Sequence, residues 1–229
     1  MKTIGLIGGS TWVSTTDYYR TINQLTQQLL GGSHSAAILM YSLKFHEFRT
    51  LVEEGQFEDV AQYLTDIAVN LEKAGADCLV ICANTPHMYA DAIRKNLQIP
   101  IIHIADATAK EIQKMGLKTV ALLGTRPTME QDFYKSKLAE YGIHTLVPNA
   151  ADREFINHTI FNEFSKEIFS PAAKKRYLEI IDQLRQQGAD GAILGCTEIP
   201  ILIKQSDCDI PVFDTMYLHS REAVHFANN

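Results

Sequence analysis

The sequence predicts an α/β protein of two similar lobes, each a parallel sheet flanked by helices, because it carries an internal duplication. Residues Gly75-Ala76-Asp77-Cys78-Leu79-Val80-Ile81-Cys82-Ala83-Asn84-Thr85 align without a gap on Gly188-Ala189-Asp190-Gly191-Ala192-Ile193-Leu194-Gly195-Cys196-Thr197-Glu198. Each copy reads as a helix-ending glycine, a buried apolar strand and a small polar cluster where the strand gives out. Lys2-Thr3-Ile4-Gly5-Leu6-Ile7-Gly8-Gly9 echoes Lys118-Thr119-Val120-Ala121-Leu122-Leu123-Gly124-Thr125, and Ile99-Pro100-Ile101-Ile102-His103 echoes Ile210-Pro211-Val212-Phe213-Asp214. So long a period marks a duplicated domain, since solenoid repeats are much shorter. The expected lobes are 1–104 and 105–229, with a cleft between them and the last helix packing back on the first lobe.

The elements follow in order. The apolar run 3–7 is the first strand, with Gly8-Gly9 as its exit. Tyr18, Ile22, Leu25 and Leu29 recur at helical spacing, and Gly31-Gly32 ends that segment. Residues 36–41 and 79–82 are short apolar runs without alternation, the pattern of strands covered on both faces. Phe57, Val60, Leu64, Ile67 and Leu71 form a second helical stripe before Gly75, and Tyr177, Ile181 and Leu184 a third before Gly188. The polar stretch 148–153 reads as a loop inside the second lobe. Strands alternating with helices imply parallel sheets with right-handed crossovers.

Composition narrows the function. With 46% hydrophobic and 21% charged residues the chain can build a proper core. A net charge of −6 without a basic stripe argues against nucleic acid, and no apolar span suggests a membrane. Four cysteines do not make a disulfide scaffold in a chain of this size. The first residues run directly into a strand, leaving no room for a signal peptide, so a reduced cytoplasmic setting is expected. Histidines and acids do not cluster at ligand spacing, and no lysine sits in a pyridoxal phosphate setting, so neither metal nor cofactor is expected.

Ligands of open α/β sheets bind beyond the carboxyl ends of the strands. Four such ends are short and polar: Gly8-Gly9-Ser10-Thr11, Ala83-Asn84-Thr85, Gly124-Thr125-Arg126-Pro127-Thr128 and Cys196-Thr197-Glu198. A helix after each would aim free backbone N–H groups at a carboxylate or phosphate. Gly8-Gly9 is not a dinucleotide fingerprint, because no third glycine follows at the right spacing. Cys196 is the leading reactive group, since a cysteine at a helix N-terminus has a depressed pKa. Cys82 alternates to the opposite face from Ala83, which favours core packing, although a twist or bulge at the strand end would return its thiol to the site. Cys78 and Cys208 are read as structural or incidental. Ser10, Asn84, Thr85, Thr125, Thr128 and Thr197 are candidate ligand contacts, the amide and hydroxyls of Asn84 and Thr85 also suiting helix caps. Glu198 is a further contact, or a group that orients its catalytic neighbour. His87 is either a proton carrier or a polar surface residue. Arg49, read as lying in a loop, can clamp an acidic side chain or remain solvated.

Ile4-Gly5-Leu6-Ile7-Gly8-Gly9, Asn84-Thr85-Pro86-His87, Leu122-Leu123-Gly124-Thr125 with Thr128-Met129, and Gly195-Cys196-Thr197-Glu198 stand in this order along the chain. With these four motifs the chain resembles the aspartate/glutamate racemase superfamily, and its aspartate racemase branch in particular, over essentially its whole length. The resemblance implies a two-lobed fold, no cofactor, often a homodimer, and two cysteines that work on opposite faces of an acidic amino acid. One thiolate removes the α-proton while the other thiol returns it. Cys196 matches the second of these cysteines, and Ala83 stands where the first belongs. Some relatives carry threonine there, but alanine carries no proton. Ser10-Thr11-Trp12 departs from the more usual Gly-Gly-Met. Arg49 falls where aspartate racemases hold the side-chain carboxylate, and Lys166 falls near a lysine with a similar task. The expected function is a racemase of aspartate or glutamate, weakened or restricted by Ala83. A single-cysteine decarboxylase or isomerase, and a retired binder of an acidic metabolite, are the alternatives.

Overall fold

The computed structural model describes residues 1–229. In chain order the strands are β1 (Ile4–Gly8), β2 (Ile38–Ser42), β3 (Cys78–Ile81), β4 (Ile101–Ile102), β5 (Thr119–Gly124), β6 (His144–Leu146), β7 (Gly191–Gly195) and β8 (Val212–Asp214). The helices are α1 (Trp12–Leu30), α2 (Phe45–Glu53), α3 (Phe57–Lys73), α4 (Ala90–Arg94), α5 (Ile104–Lys114), α6 (Arg126–Glu130), α7 (Asp132–Glu140), α8 (Ala150–Asn162), α9 (Pro171–Gln186), α10 (Ile199–Leu202) and α11 (Thr215–Asn228). The chain divides into two compact units, Met1–His103 with His219–Asn229, and Ile104–Leu218. Where the sequence suggests a second lobe of 105–229, the residues from His219 onward belong to the first unit.

Each unit holds one parallel four-stranded sheet, ordered β2-β1-β3-β4 in the first and β6-β5-β7-β8 in the second. The two orders are the same once the strands are counted within each unit. β1, β3 and β7 are buried along their whole length, and β5 at all but its first residue. That explains why they read as continuous apolar runs rather than alternating ones.

Packing follows the two-residue period of the strands. In the second unit Leu123 and Leu194 face α8 and α9, through Ile156, Ile160, Tyr177, Ile181 and Leu184. Their neighbours Leu122 and Ile193 face Ile112, Tyr134, Leu138 and Phe213 on the other side. In the first unit Val60, Leu64, Ile67 and Leu71 of α3 cover Ile7, Leu79 and Ile81. Each such fully buried aliphatic side chain contributes about 1.5–3 kcal/mol.

Four expectations need correction. β2 is not covered on both faces: it is an edge strand, with Met40 50% and Tyr41 38% exposed. Leu29 and Phe57 point to solvent at the ends of their helices, and the buried stripe of α1 is completed instead by Thr26. Of residues 148–153 only the first two lie outside a helix, because Asn149 caps α8 by accepting from the Asp152 N–H and the helix begins at Ala150. Arg49 is not on a loop either, but on the exposed side of α2.

Candidate functional site

β7 leaves its sheet beside β5 in a register that pairs Gly124 with Gly195. A Cβ on Gly124 would lie 2.7 Å from the Gly195 carbonyl oxygen, and one on Gly195 2.8 Å from the Leu123 carbonyl oxygen. Only glycine fits this approach, so Thr125 and Cys196 emerge from neighbouring strands at the same level. The Thr125 and Thr128 hydroxyls, both buried, are hydrogen-bonded at 3.0 Å. Cys196 Sγ–H donates to Glu198 Oε2 at 2.9 Å, and Thr197 Oγ1–H donates to the same oxygen at 2.7 Å. Glu198 is buried, while Cys196 and Thr197 are half-buried.

The expectation of an acidic Cys196 thiol is wrong. Its pKa is raised well above the ordinary thiol range, first by loss of water around the sulfur and then by the Glu198 carboxylate beside it. The following helix, α10, spans only Ile199–Leu202 and supplies too short a dipole to reverse this. Cys196 therefore rests as a thiol.

The matching strand end in the first unit is built otherwise. Beyond Ile81 the chain turns tightly, with the Cys82 N–H bonded to the Ile7 carbonyl and the Ala83 N–H to the Ile81 carbonyl. Cys82 is buried, points its sulfur back toward the Val80 carbonyl at 4.0 Å, and has its pKa raised by burial. It is a core residue. Asn84 is buried and Thr85 half-buried at the head of a 3-10 turn, Thr85–Tyr89. His87 is buried, not a surface residue, and its Nδ1–H donates to the Ala83 carbonyl at 2.8 Å.

Sequence reasoning missed what lies behind His87. Its ring meets His103 at 4.6 Å and His219 at 5.3 Å between centroids, both edge-on. His219 Nε2–H donates to the Ile102 carbonyl at 2.6 Å, which leaves Nδ1 to accept from Tyr18 Oη–H at 2.9 Å. Burial, then the charges of His103 and His219, push the His87 pKa well down, and burial takes His219 to about 4. Both rings are neutral at pH 7. His219 lies 116 positions beyond His103 and 132 beyond His87 in sequence, so no local pattern announces the contact.

At the end of β1, Gly9 has φ +88°, and a Cβ there would lie 2.4 Å from the Leu43 nitrogen. Its N–H donates to Thr15 Oγ1 at 2.8 Å, so that amide is spent inside the turn. Thr11 caps α1 by accepting from the Ser14 N–H, and Ser10 is half-buried beside it. Arg49 is exposed and paired with Glu53 at 2.6 Å. Lys166 is exposed at the end of the 3-10 turn Phe164–Lys166. No group of three or more His, Cys, Asp or Glu side chains is arranged to hold a metal ion, and no helix is long and apolar enough to cross a membrane.

The model of the Asp/Glu/Hydantoin racemase family matches residues 7–223. The broad specificity amino-acid racemase RacX of Bacillus subtilis (strain 168) is 25% identical over 224 residues, 93% of this chain and 92% of RacX. A Yersinia pestis protein of known crystal structure is 44% identical, with a TM-score of 0.95 and 100% of both chains covered. An aspartate racemase homologue from Pyrococcus horikoshii OT3 is 36% identical, with a TM-score of 0.89 and the same full coverage.

Proposed function

The chain belongs to the Asp/Glu/Hydantoin racemase family, and from that premise we propose that it is a cofactor-independent amino-acid racemase acting on aspartate or glutamate. The observation that carries this reading is the Cys196 thiol, bonded to Glu198 at the end of β7. Cys196 is its acid/base group. Asn84, Thr85, Thr125, Thr128, Thr197 and Ser10 are its polar contacts, with Arg49 reaching the side-chain carboxylate once it leaves Glu53. An α-proton is weakly acidic, so hydrogen-bond donors at the strand ends must stabilise the carbanion and its carboxylate. With Ala83 at the other seat, no positioned acid returns the proton from the far side. Inversion is then slower by about 10²–10⁴-fold than with two thiols. The protein is expected to work in the cytoplasm as a homodimer, a state favoured by the exposed Met40 and Tyr41 on the edge strand β2.

Proton NMR in deuterated water with L- and D-aspartate and glutamate tests this reading. Loss of the α-proton signal supports it, and an unchanged signal with all four compounds rejects it. Dialysis against a chelator or treatment with hydroxylamine should leave the exchange rate unchanged.

One observation favours a second reading. A thiol that rests protonated is ready to give a proton to a carbanion formed without a base, as in a single-cysteine decarboxylase or isomerase. Release of carbon dioxide from a 2-substituted malonate, without α-exchange of amino acids, would select it.

A further inference from the structure

The two strand ends differ in what they offer a proton. At the first, Ala83 has no ionisable group, Cys82 is turned into the core, and His87 spends its Nδ1–H on the Ala83 carbonyl. At the second, one carboxylate oxygen, Glu198 Oε2, receives both the Cys196 thiol and the Thr197 hydroxyl, at 2.9 and 2.7 Å. Thr197 therefore fixes the oxygen that faces the sulfur. Glu198 is buried, so this contact is held by packing rather than chosen from many in water.

Resting on the racemase reading above, we propose that Cys196 and Glu198 form a single-face acid/base unit. Glu198 Oε2 takes the thiol proton and gives it back, so Cys196 both removes and restores the substrate α-proton on one face. The result is α-proton exchange with retention, running ahead of inversion.

The proton balance closes within the pair. The S–H bond breaks as an O–H bond forms on Glu198, leaving a thiolate. The thiolate takes the α-proton to remake S–H, and the electron pair of the broken C–H bond stays on the substrate, spread into its carboxylate. Glu198 releases its carboxyl proton to solvent, and the freed carboxylate takes the new S–H proton and releases that too. In deuterated water a deuteron then enters by the same route, Glu198 to thiolate, and passes from sulfur to the same face of the carbon, so one substrate proton leaves for each deuteron delivered. Because Glu198 holds the proton meanwhile, thiolate formation does not wait for the bulk pH to reach the raised thiol pKa. The other titratable group facing the pair is Tyr177, which feels both Cys196 and Glu198, and itself also feels Glu163. Tyr177 is buried with its hydroxyl bonded to Thr159 at 2.9 Å, and its pKa is raised, so it stays neutral.

The test follows α-exchange by proton NMR and inversion by chiral chromatography, in deuterated water, on each of L- and D-aspartate and glutamate. The parent protein should exchange faster than it inverts by on the order of 10²-fold, the usual worth of the positioned acid it lacks on the far face. Glu198→Gln keeps the shape and the acceptor oxygen but cannot take the proton. Exchange should fall by about 10²–10⁴-fold in this variant, while alkylation of Cys196 by iodoacetamide moves to lower pH because the neighbouring charge is gone. More thiolate with less turnover is a combination that loss of structure does not produce. Glu198→Asp should recover part of the exchange. Equal rates of exchange and inversion in the parent overturn this proposal and leave the racemase reading intact. So does an exchange rate in Glu198→Gln that matches the parent across pH. Absence of exchange with every substrate overturns both.

Discussion

At the end of β3 the chain runs Cys82-Ala83-Asn84, and at the end of β7 it runs Gly195-Cys196-Thr197. The strands hold equivalent places in sheets of the same order, and both are fully buried up to these positions. The first end is closed on itself: its thiol faces the core and its histidine binds its own backbone. The second presents a half-buried thiol to a buried carboxylate. Duplication thus preserves the sheet, because β-strand packing constrains every residue of a central strand. The residues just past the strand escape that constraint, and there the two halves diverge in chemistry.

Removing the reactive side of this comparison should have the largest effect. Cys196→Ala is expected to lower α-exchange by on the order of 10³-fold, with an unchanged circular dichroism spectrum. Exchange at the parent rate would mean that β7 does not end in the acid/base group. Restoring symmetry comes next. Ala83→Cys should raise inversion of aspartate or glutamate by on the order of 10²-fold, bringing it level with exchange. If it adds nothing while Cys82→Ala abolishes activity, the register is wrong and Cys82 is the partner of Cys196.

The histidines behind Ala83 sharpen the comparison through stability. His219 has a folded pKa of about 4 against an ordinary value of 6.5. The unfolded chain therefore binds the proton first, and folding is opposed as the pH falls. Its full contribution is present above pH 6.5 and is lost on descending toward pH 4, about 3 kcal/mol in all at 1.36 kcal/mol per unit. Denaturant titrations at pH 7 and pH 4 should differ by at least this much, and His219→Gln should shrink the gap. The smallest effect belongs to Cys82→Ala, which is expected to cost about 1 kcal/mol of stability and leave exchange within about twofold, because its thiol faces the core.

The parallel sheets were readable because a strand covered on both faces shows its burial in every residue, as 79–82 does. β2 misled because its apolar run 36–41 marks an edge, where apolar side chains remain half exposed. Leu29 and Phe57 keep the helical spacing but lie in the last turn of α1 and at the start of α3, where both are exposed. Cys196 and Glu198 stand two positions apart in one motif, so their closeness is legible in the sequence, and the structure joins them by a hydrogen bond. The direction of the Cys196 pKa was not legible, since it turns on how long α10 is and where the Glu198 carboxylate points. The contact of His87 with His219 was beyond sequence reading, because His219 lies on α11, far along the chain, in residues that belong to the first unit.

Trp12 is the only tryptophan in the chain, stands next to the Thr11 cap of α1, and is 71% exposed. Its fluorescence therefore comes from one place, a few residues past the Gly8-Gly9 exit of β1. Water around the indole sets a red-shifted emission that iodide quenches readily. On the proposed site, an acidic amino acid settling at Ser10 should displace some of that water, shift the emission to the blue and protect it from iodide. Such a titration would report binding constants for Cys196→Ala and Glu198→Gln when turnover no longer can.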